Sequence, residues 1–174
     1  MKNSLVLMLL SLLATICLSD GGRRTSAVNL TRARATPANL DKNFDTADLK
    51  RLRWIEGTWR GTGGEAPFYE RYKFENDSTL AVETLAGEKV DKVTDVTRFE
   101  LKNGEFGGGD EGGRWVATFI DDKSIKFEPV AKARNSFRWE QESANSWKAV
   151  LSWPASDKGP AKQRIYQMER WPKQ

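Results

Sequence analysis

The chain has 174 residues, of which 39% are hydrophobic and 30% charged, and its formal net charge is +4. That length makes one domain of ordinary size. A single cysteine excludes a disulfide scaffold, and the absence of histidine excludes a His-based catalytic triad, an HExxH zinc site and histidine-ligated haem.

Residues 1–19 read as a secretory signal peptide. Lys2 supplies the basic start, and Leu5 to Ile16 form an apolar run too short to span a bilayer. Cys17 and Ser19 place small residues at −3 and −1 of a cut before Asp20. Cleavage before Cys17, which would make a lipoprotein, puts Ile16 at −1 and is the less favoured reading. The expected protein is therefore secreted or periplasmic, without a stable membrane span after cleavage. Residues 20–45 read as a flexible linker, with Gly21-Gly22-Arg23-Arg24 and Thr31-Arg32-Ala33-Arg34 offering little to bury. Residues 46–174 hold twenty-two basic and twenty-one acidic side chains. The expected domain is nearly neutral, so the basic pI is no argument for nucleic acid as a partner. Asn29-Leu30-Thr31 and Asn76-Asp77-Ser78 match the glycosylation triplet.

Asp45 to Leu52 predicts a short helix, capped by Asp45 and apolar along Leu49 and Leu52. The period then changes to two. Strands are expected over 68–75, 93–101, 115–120, 125–128, 137–140, 147–153 and 165–168, while Leu80 to Ala86 leaves both faces plausible and the orientation of Glu83 open. Turn signals separate them, and Asn103-Gly104 is the sharpest because a type I′ hairpin needs positive φ at both central residues. Gly107 to Gly113 reads as a flexible hairpin loop. Eight to ten strands with no helix between them predict an all-β fold, an antiparallel up-and-down barrel with one short N-terminal helix. A two-sheet sandwich is the runner-up.

Trp54-Ile55-Glu56-Gly57-Thr58-Trp59-Arg60-Gly61 stands between the helix and the strand meander. This Gly-x-Trp resembles the opening of the lipocalin and wider calycin group. The resemblance implies that a short helix closes one end of the barrel, that Trp59 packs across its floor beside Gly57, and that Arg170 stacks over Trp59. Gly57 to Gly63 is also similar to the opening of nitrobindin-like haem barrels, but haem binding does not carry over to a chain without histidine. Trp54 to Trp59, Phe68 to Tyr72, Lys126 to Pro129 and Ile165-Tyr166 resemble segments of secreted bacterial lipocalin-like domains of unknown function. Residues 130–136 depart from that group's pattern.

If Phe68, Tyr72 and Phe74 face inward, Glu70 does too. A carboxylate on an apolar face is either a ligand anchor or half of an internal salt bridge, with Arg98, Arg114 and Arg170 as candidate partners. Asp95 shares the parity of Thr97 and Phe99 and is a candidate second inward carboxylate. Trp115, Phe127, Trp139, Trp147 and Tyr166 share the inward parity of their strands. The expected function is non-covalent binding of a small, largely apolar ligand, with Glu70 and Tyr72 as polar anchors and Trp115, Phe127, Trp139 and Tyr166 as walls. No catalytic residue, cofactor or metal is assigned. An enzyme acting through Glu70 and Asp95, and a solid barrel serving as an envelope scaffold, are the alternatives. Neither the ligand nor the oligomeric state is legible.

Overall fold

The computed structural model describes residues 43–110, 113–157 and 159–172. The expected signal segment, Cys17, Asn29 and nearly all of the expected linker lie outside the described residues. The described chain begins with a plug. Asp45 caps helix α1 (Thr46–Lys50) through its carboxylate, which accepts from the N–H groups of Ala47 and Asp48, while the Asp48 side chain returns a bond to the cap. The helix tightens into a 3-10 turn over Arg51–Ile55. Phe44, Leu49, Leu52 and Ile55 are all buried in the core, so this segment closes one end of the strand assembly.

Ten strands come next in chain order: β1 (Gly57–Thr62), β2 (Phe68–Asn76), β3 (Thr79–Leu85), β4 (Val93–Lys102), β5 (Glu105–Asp110), β6 (Gly113–Ile120), β7 (Ser124–Ala131), β8 (Ser136–Ser143), β9 (Ser146–Trp153) and β10 (Lys162–Arg170). Each pairs antiparallel with its sequence neighbours, and β1 also pairs with β10, with Trp59 opposite Arg170. The result is a closed up-and-down barrel, in which every strand has a hydrogen-bonded neighbour on both sides. The sandwich alternative is excluded.

Two elements differ from the sequence reading. Gly57–Thr62 is itself a strand, and the glycines at 107–109 belong to β5 rather than to a loop. Gly108 lies directly opposite Phe99, and a Cβ there would crowd the Phe99 ring and the Arg98 carbonyl. The glycine run is thus a place where the wall presses on a large inward ring, a use of glycine that periodicity does not register. Asn103 and Gly104 both have positive φ, 53° and 80°, as the hairpin between β4 and β5 requires.

Gly61 shows the same economy of space. It sits opposite Phe68, whose ring lies across it and meets Tyr166 edge-on at 5.6 Å. A Cβ at Gly61 would overlap that ring. Gly61→Ala is expected to destabilise the barrel by about 1–3 kcal/mol through overpacking. Chemical denaturation checks this, and unchanged stability would mean that Phe68 is free to move aside.

On the outer wall, Glu83 is turned away from the core but buried beneath two cations. Arg71 donates to it at 3.0 Å and Lys73 pairs with its other oxygen. Among the described residues no helix is long and apolar enough to cross a membrane.

Candidate functional site

Inside the barrel, alternation along each strand sends one set of side chains inward, and most of that set is aromatic. At the closed end, Gly57 has φ 130°, and a Cβ there would overlap the Arg170 guanidinium. That guanidinium lies 4.2 Å from the centre of the Trp59 ring and donates to the carbonyls of Glu56 and Ala144. The Trp59 N–H donates to the Ile55 carbonyl at 2.7 Å. Gly57, Trp59 and Arg170 therefore form one structural unit that ties β1, β10 and the plug together.

Above this floor the rings meet across the barrel. Tyr72 on β2 contacts Trp139 on β8 and Trp147 on β9 at 5.6 and 5.4 Å, both edge-on. Phe99 on β4 reaches Trp139 at 5.5 Å and Phe127 at 5.1 Å. Phe127 stacks on Phe137 at 4.6 Å. Rings from strands on opposite sides of the barrel touch, so this level is packed from wall to wall. Trp59–Trp147 at 6.0 Å continues the network to the floor. Each such pair contributes about 0.5–1.5 kcal/mol beyond its burial.

Glu70 is set into this apolar level. It stands opposite Trp59 on one side and Thr84 on the other, and it is 0% exposed. The Tyr72 hydroxyl donates to its carboxylate at 2.7 Å. Burial pushes the Tyr72 hydroxyl well above its usual pKa near 10, and the adjacent Glu70 charge and hydrogen bond push it further the same way. The arginines weighed as partners are engaged elsewhere: Arg98 with Glu75, Arg114 with Glu105, and Arg170 with the floor carbonyls.

Nearby, the indole N–H groups of Trp139 and Trp147 are buried and meet no hydrogen-bond acceptor among the described residues. Such orphans are uncommon in a packed interior and call for a cause.

The sequence-predicted residues thus divide. Glu70, Tyr72, Phe127 and Trp139 come together at the packed level. Trp115 joins it through Phe137 at 5.9 Å, and its N–H is spent on the Asn135 carbonyl at 2.8 Å. Tyr166 sits apart against Phe68, with Arg164 donating to its hydroxyl at 3.2 Å. Asp95 faces inward, opposite Thr84, which itself stands opposite Glu70. Two strand spacings, about 10 Å, separate the two carboxylate-bearing backbones. Thr84 lies between them, so they do not form a shared-proton pair.

Sequence reasoning placed Phe99 on the inward parity of its strand but passed over Phe106 and Phe137 as interior residues. Phe137 carried a usable signal, the parity of Trp139. Phe106 did not, because it sits in the glycine-rich segment. The unsatisfied indoles have no sequence signal at all.

Among the described residues, no group of three or more Cys, His, Asp and Glu side chains is placed to hold a metal ion. A closed, antiparallel ten-stranded barrel with a helical plug is consistent with a calycin-like fold. No protein-family model matches the chain, and no curated protein matches it either.

Proposed function

We propose that this is a calycin-type carrier barrel that binds a small, largely apolar ligand bearing a hydrogen-bond acceptor. The observation that supports the reading is that two of the three buried indole donors without an acceptor among the described residues, Trp139 and Trp147, flank the buried Tyr72–Glu70 pair, the third being Trp54 beside Trp147. An oxygen-bearing apolar ligand supplies the missing acceptor, and the aromatic walls supply its burial. Without such an acceptor, each of these two N–H groups costs about 1–3 kcal/mol on folding. The ligand displaces rings rather than filling a ready void, since the level around Tyr72 is packed. The signal-like residues 1–19 support a secreted or periplasmic setting, which N-terminal sequencing of the mature protein checks.

The test is mass spectrometry of an organic extract of the protein purified from its native host, with tryptophan fluorescence against apolar ketones, alcohols and porphyrins. The expected result is one stoichiometric small molecule, or a saturable fluorescence change that Tyr72→Phe alters. An empty extract together with fluorescence unmoved across the panel would overturn the reading in favour of a solid barrel acting through its surface. The wall-to-wall contact of Phe99, Phe127 and Trp139 is the observation on that side.

A further inference from the structure

The barrel wall parts at the end opposite the plug. β7 and β8 pair from Ser124 opposite Glu140 to Phe127 opposite Phe137, and there their pairing stops. β7 continues to Ala131 alongside β6 only, while Ser136 at the start of β8 pairs with Ser152 of β9. Pro129 falls just past the parting, and its ring nitrogen has no hydrogen to donate to a neighbouring strand. The divergence opens a groove of about 660 Å3 between β7, β8 and the hairpin formed by β9 and β10. That volume lies in the range of small-molecule sites.

The chemistry of the groove is uneven. Trp153, Pro129 and Pro154 give it an apolar bed. Arg134 and Lys162 line it as well, and neither forms an ion pair among the described residues. The Lys162 ammonium lies 5.2 Å from the centre of the Trp153 ring, so the cation and the flat apolar face are presented together. Among the described lining residues the acidic one, Glu128, is engaged by Lys126 at 2.7 Å. Ser136 and the hydrogen-bonded pair Gln163–Ser152 add neutral donors. The loop that carries Arg134 is anchored, since the adjacent Asn135 is buried and its carbonyl receives the Trp115 indole N–H.

We infer that this groove is a binding site for a small organic oxyanion, with a carboxylate or phosphate held between Arg134 and Lys162 and a flat apolar body laid against Trp153 and Pro129. Two cations without acidic partners among the described residues, beside an apolar bed, favour a ligand that is both anionic and apolar over a purely apolar one. The site is separate from the packed interior and does not depend on the reading proposed for it.

The indole signals of the seven tryptophans allow the two sites to be read apart in one experiment. The full-length protein, labelled with nitrogen-15, is titrated with naphthalene-2-carboxylate, 2-naphthyl phosphate and the neutral 2-naphthalenemethanol. Both anions are expected to shift the Trp153 indole signal to saturation, the better of the two identifying the head group, and the alcohol to bind at least about tenfold more weakly. The double variant Arg134→Gln, Lys162→Gln is expected to lose at least about tenfold in anion affinity with unchanged thermal unfolding, because both side chains are exposed. Equal affinity for alcohol and anions overturns the inference, as does a double variant that binds like the wild type. Shifts confined to Trp139 and Trp147 overturn it while supporting the interior reading, and no shift at millimolar probe overturns it outright.

Discussion

Replacing Trp59 with alanine is expected to destabilise the barrel by about 3–5 kcal/mol, the range for removing a large buried aromatic side chain. Several interactions end together. The Ile55 carbonyl loses the indole N–H that links the first strand to the plug. Trp147 loses an edge-on partner at 6.0 Å. Arg170 loses the ring it lies over at 4.2 Å and is left beside a cavity. For a domain of this size the effect corresponds to a fall in melting temperature on the order of 10–20 °C. Trp59→Phe separates the contributions, since it keeps most of the apolar volume and gives up the N–H bond and much of the cation–π attraction. Its expected cost is about 1–2 kcal/mol. Thermal and urea unfolding followed by circular dichroism measure both. A loss below about 1 kcal/mol for the alanine variant would show that the plug, and not Trp59, holds this end closed.

Tyr72→Phe is expected to cost about 1–3 kcal/mol at pH 8, the range for removing one partner of a buried hydrogen bond. Phenylalanine preserves the edge-on packing against Trp139 and Trp147, so the loss isolates the hydroxyl bond to Glu70. The same residue sets an alkaline signature. Burial, reinforced by Glu70, holds the Tyr72 proton in the folded state well above pH 10, whereas the unfolded chain releases it near 10. The folded state binds the proton more tightly. The stabilisation is therefore complete below pH 10 and declines as pH rises above it. The stability gap between wild type and Tyr72→Phe should narrow between pH 9 and pH 11. Urea unfolding across that range checks it, and a gap that stays constant would mean that the hydroxyl is not shielded as the buried geometry requires.

Much of the wall was legible from local pattern. Asn103-Gly104 announced a hairpin through its positive-φ requirement, and both residues adopt it. Asp45 announced a helix start, and it caps α1 while its own N–H donates to the Asp48 carboxylate. The alternation around Tyr72, Trp115, Phe127, Trp139 and Tyr166 identified the inward face because side chains on a strand must alternate. The two overlooked strands were the two richest in glycine, Gly57–Thr62 and Glu105–Asp110. Glycine scores as turn or loop by propensity, yet here it is selected for close approach. Phe68 lies over Gly61 and Phe99 over Gly108, contacts between strands whose proximity no local window contains.

The sequence by itself determined the strand periodicity, the turn positions, the short capped helix and the inward parity of Glu70, because each of these arises from backbone geometry within a few residues. Only the tertiary structure decided what those inward residues meet. The choice of Tyr72 as the donor to Glu70 rests on both side chains being enclosed by distant strands. The isolation of the Trp139 and Trp147 N–H groups rests on what the opposite wall does not offer. The groove at Pro129 rests on where two strands cease to pair. Closure of the barrel brings residues a hundred positions apart, such as Trp59 and Arg170, into contact, and the energies of such contacts depend on burial and partner geometry that periodicity does not encode.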